Sequence, residues 1–570
     1  YIVGNEAAER FSFYGMKGIL VIFMTKYLHM LSDNPNLSPM SNAAAIERYH
    51  DFTTWVYLTP ILGALLADTV LGKYRTIISL SLIYCLGHLA LACMGSGGLS
   101  PEAWMISGLA LISIGSGGIK PCVSAHVGDQ FGKSNAHLLT KVFGWFYISI
   151  NAGAFISTLL TPWLLEWYGP HWAFGVPGVL MAIATLLFWM GRKTFVHIPP
   201  QGMGFLKETF SREGLRAIGK LSIIFSFVAV FWALFDQTGS SWVIQAEDLN
   251  RHWLGIHWLP SQIQAINPIM IILLVPIFNF FIYPFLNRII SLTPLRKVSI
   301  GLFIMVVGFS MVAILQQWID QGLEPSIGWQ ILAYAILTSS EVMVSITCLE
   351  FAYTQAPKSM KSVIMAIFLM SVALGNYFTA GVNSFIQIPS HSNSPYIESE
   401  KNNINLALEK IKSNFKINNN ILPKTSTGNI IIKNYRDSWG SSLQYRLVNR
   451  NTFRITSLGL DQKYMTEKDI VLTCNVMRPN NDLNIKNKPY SWREKRIIEL
   501  NGEKGKFEVE KNRGGVNTIE FQTATLLGGQ TKLEGADYFW FFSKLMLGTA
   551  IAFVFLTILY KPKEYLHEEE

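Results

Sequence analysis

The chain has 570 residues, half of them hydrophobic and only 15% charged, against roughly a quarter charged in soluble domains, which argues against a soluble protein and for one that lives in a bilayer. A formal net charge of +9 would suit nucleic acid, but the basic residues are scattered in short loops between apolar runs. They read as charge asymmetry around a membrane, and no nucleic-acid patch is visible. Five cysteines without ligand spacing give neither a disulfide framework nor a zinc site.

The first apolar segment, about 4 to 30, already carries charge. Glu6, Glu9 and Arg10 are helical neighbours at i, i+3 and i+4, and Lys17 returns to the Arg10 side one heptad later, so one stripe is ionic and the rest apolar. Each such charge costs roughly 2.5 to 3.5 kcal/mol to insert, which makes it a functional candidate with a partner elsewhere. The chain opens at Tyr1, without Met and almost inside this helix, so a cytoplasmic N-terminal tail and any targeting signal are expected to be missing from it.

Eleven further segments near or above the roughly 20 residues that cross the hydrocarbon core follow. They lie at about 50 to 71, 75 to 95, 102 to 127, 138 to 167, 171 to 191, 218 to 244, 259 to 287, 295 to 319, 326 to 356, 360 to 386 and 536 to 560. Basic residues gather in alternate loops (Lys73 and Arg75, Lys133, Arg192 to Arg216, Arg288, Arg296 and Lys297, Lys358 and Lys361), which places both termini in the cytoplasm. Two six-helix halves joined by a basic segment resemble the layout of major-facilitator transporters, whose substrate sits between the halves near mid-membrane. The expected fold is therefore an all-α membrane protein of twelve transmembrane helices in two bundles, 1–191 and 218–386 with 536–560, joined by a linker at 192–217 and ending in a tail at 561–570. Gly63 to Arg75 is similar to a loop of that superfamily, which implies a gating or structural role for Asp68 and Arg75.

Within the segments, isolated charges are the candidates for chemistry. Lys120 follows Gly115-Ser116-Gly117-Gly118, where small residues suit close helix packing; no strand precedes them and Gly-Lys-Ser/Thr is absent, so no phosphate loop is read. Its expected partner is Glu6 or Glu9. Asp236 is embedded among aromatics in the seventh segment, with Lys17 and His50 as expected partners for a proton-handling cluster. Glu341 lies in an uncharged run with no basic residue on its own or the next segment, so a missing cation could belong to a ligand; the alternative is a buried acid hydrogen-bonded within the bundle, for instance to its serine neighbours. Positive groups in one half facing a lone acid in the other fit a zwitterion.

Between Gln387 and about Gly535 the composition turns polar, and a soluble α+β domain at 387–535 is expected between the last two segments, extracytoplasmic by topology and periplasmic in a Gram-negative bacterium. Asn402 to Phe415 reads as an amphipathic helix with Ile404, Leu406, Leu408 and Ile411 on its apolar side; Asn429 to Ile432, Leu443 to Val448 and Thr452 to Leu458 read as strands. Asp437 to Gly440, Tyr445-Arg446 and Ser457 to Asp461 faintly resemble the C-terminal domain of type II secretion major pseudopilins. That resemblance implies calcium on Asp461, Glu467 and Asp469; ordinary solvated acids are the other reading. A periplasmic partner or peptide is the expected ligand of this insert.

A wider resemblance runs through the membrane part. Glu6-x-x-Glu9-Arg10-Phe11-Ser12-Phe13-Tyr14-Gly15 resembles the helix 1 motif of the proton-dependent oligopeptide transporter family. Gly63 to Gly87, Phe143 to Phe155 and Gly117 to Ala125 are similar to its other signatures, and Phe231 to Gly239 and Leu349 to Val363 look like the animal di- and tripeptide transporters and their bacterial relatives. The resemblance implies symport of di- and tripeptides with protons across the plasma membrane by alternating access, with no cofactor beyond the proton gradient and no enzymatic step. By position, Arg10 and Lys120, with Lys17 nearby, would hold the peptide carboxylate, and Glu341, Asn151 and Asn267 its amine. Tyr14, Tyr57 and Trp232 would line side-chain pockets, with Phe368 where the family commonly has tryptophan, and Glu6, Glu9, Asp236 and His50 would couple the proton. Phe13 and Lys17 depart from the family's tyrosine and arginine, and a point charge replaces a fork donor at Lys17. The alternatives are another small substrate such as nitrate, or a non-transporting receptor or scaffold built around the insert.

Overall fold

The computed structural model describes residues 1–32, 38–131, 138–200, 202, 211–354, 361–392, 394–478, 489–514 and 519–560. Lys133, Lys207, Lys358 and the tail at 561–570 lie outside them, as does the side chain of Lys361.

Local signals set several of the helix starts. Helix α1 is Ile2–Lys26. Ser41 caps α2 (Asn42–Leu66) through the Ala44 N–H, and a π-helical turn, Ala67–Leu71, closes it. α3 is Lys73–Ala92, and α4 (Pro101–Asp129) begins with Ser100 as cap and Pro101 in the first turn. α5 (Leu139–Tyr168) and α6 (Pro170–Met190) are separated only by Gly169, whose φ of +88° a side chain would resist. Ser211 caps α7 (Arg212–Phe235), which tightens through a 3-10 turn at Asp236–Gly239 into α8 (Ser241–Glu247).

A two-stranded hairpin, β1 (His252–Trp253) and β2 (Ile256–His257), leads to α9 (Ile266–Ile277), a π turn at Phe278–Ile282 and α10 (Tyr283–Ile289). α11 is Pro294–Asp320; α12 is Ile327–Glu341; a further π turn, Val342–Ile346, joins it to α13 (Thr347–Thr354). α14 (Lys361–Ile386) enters the insert and α18 (Ala536–Leu559) leaves it. Eleven helices among the described residues are long and apolar enough to cross a membrane. α1 is not among them, although it has 25 residues; its charged stripe accounts for the difference.

The apolar side chains segregate into two cores. One joins α1 to α6, around Phe23, Tyr84, Phe174 and Phe188; the other joins α7 to α14 and α18, around Trp242, Phe309, Tyr334 and Phe542, with a smaller satellite cluster of Ile271, Phe278, Val342 and Met343 where α9 and α10 pack beside it. The helical regions meet chiefly where α2 packs on α14 and α5 on α9.

The insert has a third core. β3 (Ser390–His391), β4 (Gln444–Asn449), β5 (Thr452–Ser457), β6 (Ile470–Met477) and β7 (Glu520–Gly528) form one antiparallel sheet in the order β3-β7-β6-β5-β4. α15 (Pro395–Ile417) buries Ile404, Ala407, Leu408, Ile411 and Phe415 against it. Leu406, expected on that face, is exposed because the helix is rotated so that Ala407 packs instead. Asn429 to Ile432 is not a strand: Thr425–Ile431 is α16, packed beside β4, with Asn429 spending its side chain on the Tyr445 backbone. α17 (Trp492–Gly514) is broken at Gly502, φ +56°, and its second part returns so that Arg513 pairs with Glu494.

Candidate functional site

The charged stripe of α1 is buried, and its first ion pairs are internal. Arg10 Nε donates to Glu6 Oε1 at 2.6 Å and lies 3.3 Å from Glu9 Oε2, while Ser116 of α4 donates to Glu9 Oε1 at 2.8 Å. The expected pairing of Lys120 with Glu6 or Glu9 is therefore corrected. Arg10, one turn along the same helix, reaches both carboxylates first. Lys120 Nζ is buried without a hydrogen-bond partner among the described residues, 3.8 Å from the centre of the Phe13 ring and 4.6 Å from that of Tyr57. Two aromatic faces stabilise an ammonium, but they leave its three donors free.

The close passage of the helices makes this arrangement possible. A Cβ on Gly153 of α5 would lie 2.5 Å from the Ala7 carbonyl of α1, and one on Gly63 of α2 would lie 2.4 Å from the Gly118 carbonyl of α4. Small residues thus bring the stripe, Lys120 and Tyr57 to one region.

One heptad along α1, Lys17 crosses to the other core. Its Nζ lies 2.8 Å from Asp236 Oδ1, at the 3-10 turn that ends α7, and 5.1 Å from the Tyr49 ring centre. Asn376 of α14 donates to Asp236 Oδ2 at 2.7 Å, so its Oδ1 faces His50 Nδ1 at 2.6 Å, and His50 Nε2 meets Ser240 Oγ at 2.9 Å. Because the amide nitrogen is committed to the carboxylate, His50 Nδ1 carries the hydrogen and Nε2 accepts from Ser240. Lys17 and Asp236 are paired as expected; His50 reaches Asp236 only through Asn376. That asparagine carries no charge and left no signal in the sequence beyond a polar residue in an apolar run.

Glu341 ends α12 where the π turn begins, a feature frequent at functional sites. Asn267 of α9 donates to its Oε2 at 2.7 Å and to Thr338 at 3.2 Å. The acid is thus hydrogen-bonded to a neighbouring helix, as the alternative expected, but through Asn267 and not through its serine neighbours: Ser339 bonds the Ala335 carbonyl and Ser340 the Gly301 carbonyl. No cation contacts Glu341 among the described residues. Tyr14 of α1 lies within electrostatic reach of Arg10, Lys17, Glu9 and Glu341, and Tyr147 of α5 lies within reach of Glu341. Tyr147 was not singled out from the sequence.

The remaining candidates take simpler places. Asn151 donates to the Tyr147 carbonyl within α5. Trp232 packs edge-on against Phe368 at 6.5 Å and leaves its indole N–H buried and without a partner among the described residues. Asp68 sits in the π turn after α2 and caps no helix among the described residues; the ion pair of that region is Lys73 with Asp129, at 2.7 Å, and Arg75 is exposed. In the insert, Asp461 and Asp469 accept from Thr466 and from the Lys463 and Met465 N–H groups, so local turns engage them.

Comparison with known proteins bears on this geometry. The sequence profile of the POT family matches residues 74–212 and 204–399, together more than half of the chain. Solute carrier family 15 member 2 of Homo sapiens is 35% identical over 61% of this chain and 52% of its own length, and peptide transporter family 1 of Drosophila melanogaster is 36% identical over 56% and 48%. The chain thus spans about half the length of the curated relatives it matches. A crystal structure of a proton dependent oligopeptide (POT) family transporter is 38% identical, with a TM-score of 0.58, over 68% of this chain and 92% of that one.

Proposed function

The chain belongs to the POT family, and on that premise we propose that it is a proton-coupled symporter importing di- and tripeptides across the plasma membrane by alternating access. It uses no cofactor beyond the proton gradient and performs no enzymatic step. The fold is of the major-facilitator kind, with α1 completing twelve spans, in two bundles at 1–191 and 218–386 with 536–560. The linker at 192–217 and both termini are cytoplasmic, and the insert at 387–535 is periplasmic.

One observation carries the reading: Arg10 and the unpaired Lys120 belong to one core, Glu341 with its Asn267 donor belongs to the other, and Tyr14 lies within electrostatic reach of Arg10 and Glu341. A peptide carboxylate supplies what Lys120 lacks, and a peptide ammonium supplies the cation that Glu341 lacks. Tyr57, Trp232 and Phe368 line the space for its side chains. A carboxylate that also draws Arg10 toward itself takes the counter-charge from Glu6 and Glu9, and an acid left without its counter-charge binds a proton. Proton and peptide then neutralise the stripe together, and α1 is free to repack against α7 once Lys17 and Asp236 part. His50, bonded to Ser240 and to Asp236 through Asn376, is placed to take a proton as that pair opens.

The deciding experiment is counterflow of labelled dialanine in liposomes under an inward proton gradient. Uptake that rises with the gradient, is competed by unlabelled dialanine and not by nitrate, and disappears in Glu341→Gln supports the reading. Uptake by Glu341→Gln equal to that of the parent sinks it.

A further inference from the structure

The insert is tied to both cores, but by unequal means. Covalently it belongs to the second: it leaves from α14 and returns into α18, and its β4–β5 turn settles on the same body, where Asn449 donates to Asp248 at 2.9 Å and Arg450 pairs with Glu324. α17 instead reaches to the first core. Trp492 stacks on Tyr27, just beyond α1, with ring centres 5.8 Å apart; Arg493 lies over the same ring; and Arg496 Nε donates to the Met30 carbonyl at 2.9 Å. Tyr27 is itself held by its hydroxyl on Glu166 of α5 at 2.8 Å.

The fit is built from both sides. A Cβ on Gly169 would lie 2.3 Å from the Trp492 indole, so the α5–α6 turn leaves room for that ring only as glycine. On the insert side, Arg513 grips Glu494 through two hydrogen bonds, 2.8 and 2.9 Å, and clamps the first part of α17 in position. Below the insert a cavity of about 500 Å³ opens between Lys26 of α1, Asp248 beyond α8 and Arg446 of β4. The insert therefore roofs the seam between the cores without filling it.

We propose that the first part of α17 is a releasable latch: carried by the second bundle, it grips the insert-side end of the first, and opening on that face requires Trp492 to leave Tyr27. This rests on the alternating-access reading, since bundles that never part need no release. The β4–β5 contacts stay closed throughout, because they join parts of one body.

The test places spin labels on the full chain, its five cysteines replaced by alanine, at Trp172→Cys and Leu323→Cys, both exposed. Distances between the labels are read by pulsed electron paramagnetic resonance. Trp492→Ala and, as a second change that leaves the Trp492–Tyr27 stack in place, Arg496→Ala, which loses the Met30 bond and a pair with Glu499 inside α17, are expected to enlarge the long-distance population at least twofold, while Arg450→Ala leaves it as in the parent. An unchanged distribution in both α17 variants, or an equal shift in Arg450→Ala, overturns the latch. Dialanine uptake by the unlabelled parent separates the two claims. A shifted distribution without any uptake leaves the latch standing and removes the transport reading, and gradient-driven uptake with an unmoved distribution does the reverse.

Discussion

Two buried ammonium groups sit in unlike company, and their surroundings set opposite expectations. Lys17 has Asp236 at 2.8 Å, whereas Lys120, among the described residues, has no hydrogen bond or ion pair and lies against the rings of Phe13 and Tyr57. Desolvating an ion costs several kcal/mol, and a desolvated cation–π contact returns about 2. Lys120→Met should therefore raise the thermal midpoint while abolishing dialanine uptake; a lower midpoint measured by scanning fluorimetry would mean that a partner for Lys120 had been missed. The reverse holds for Asp236→Asn, which strands Lys17 and should cost about 3 to 5 kcal/mol. Pairing it with Lys17→Met should recover most of that stability without restoring proton-driven uptake, and a double mutant as unstable as the single would refute a pairwise coupling. The Lys17–Asp236 pair was legible in the sequence because a charge in an apolar run demands an opposite charge elsewhere. Asn376, which joins it to His50, was not legible, since a neutral amide makes no such demand. That Arg10 takes the acids of α1 ahead of Lys120 is hidden in the sequence, which does not show competition: Arg10 needs no tertiary contact to reach Glu6.

At the scale of elements, glycine positions fix how closely α2 and α4 cross and hence where Lys120 sits. A Cβ at Gly117 would lie 1.8 Å from Thr59 Oγ1 and 2.6 Å from the Val56 carbonyl; the hydroxyl can turn away, but the backbone cannot. Gly117→Val should cost about 1 to 3 kcal/mol through overpacking and lower uptake by displacing Lys120, whereas Gly128→Ala, with open space around it, should leave both unchanged. Equal thermal midpoints for the two variants would show that the crossing tolerates more room than its geometry implies. The glycines of α4 were readable as packing residues, and β5 was readable from its alternation, with Phe453 and Ile455 inward. α16 is hard to read from sequence because its isoleucines suit a strand equally well; Gly428, whose Cβ would fall 2.0 Å from the Tyr445 ring, marks how closely the helix comes to β4. The turn before β6 adds a pH dependence. Burial pushes the Asp469 carboxyl from 3.8 up to about 6, despite the bonds from Met465 and Thr466 that pull it down. A value raised on folding means stability that is present below the unfolded value and lost as pH rises through the folded one. Relative to the parent, Asp469→Asn should therefore gain protection from hydrogen exchange across Ile470–Met477 progressively between pH 4 and about 6. A parent-to-variant difference that is flat over that window would show that Asp469 is not the titrating group.

For the whole molecule, the insert is an addition whose ends are already closed. Ile388 N–H donates to the Gln530 carbonyl at 3.1 Å and Lys532 N–H to the Ile386 carbonyl at 2.8 Å, so the chain leaving α14 is paired with the chain entering α18 before the sheet begins. β3 and β7 continue that ladder, with Ser390 opposite Gly528. An antiparallel pair needs only a two-residue turn to join it, and Asn-Gly supplies the positive φ values such a turn requires. Replacing the residues between Ser390 and Gly528 by Asn-Gly should leave the two bundle cores intact, since the insert's apolar core is its own. It removes the grip of Trp492 and Arg496 on the first helical core together with the Asn449 and Arg450 contacts on the second. Glu6, Arg10, Lys17, Lys120, Asp236 and Glu341 remain, so proton-driven dialanine uptake should survive, with the label pair on the insert side spending more time apart. Loss of uptake by a folded, membrane-inserted excision variant would place the insert inside the transport cycle as an indispensable part, because nothing in the charged sites themselves would have been altered.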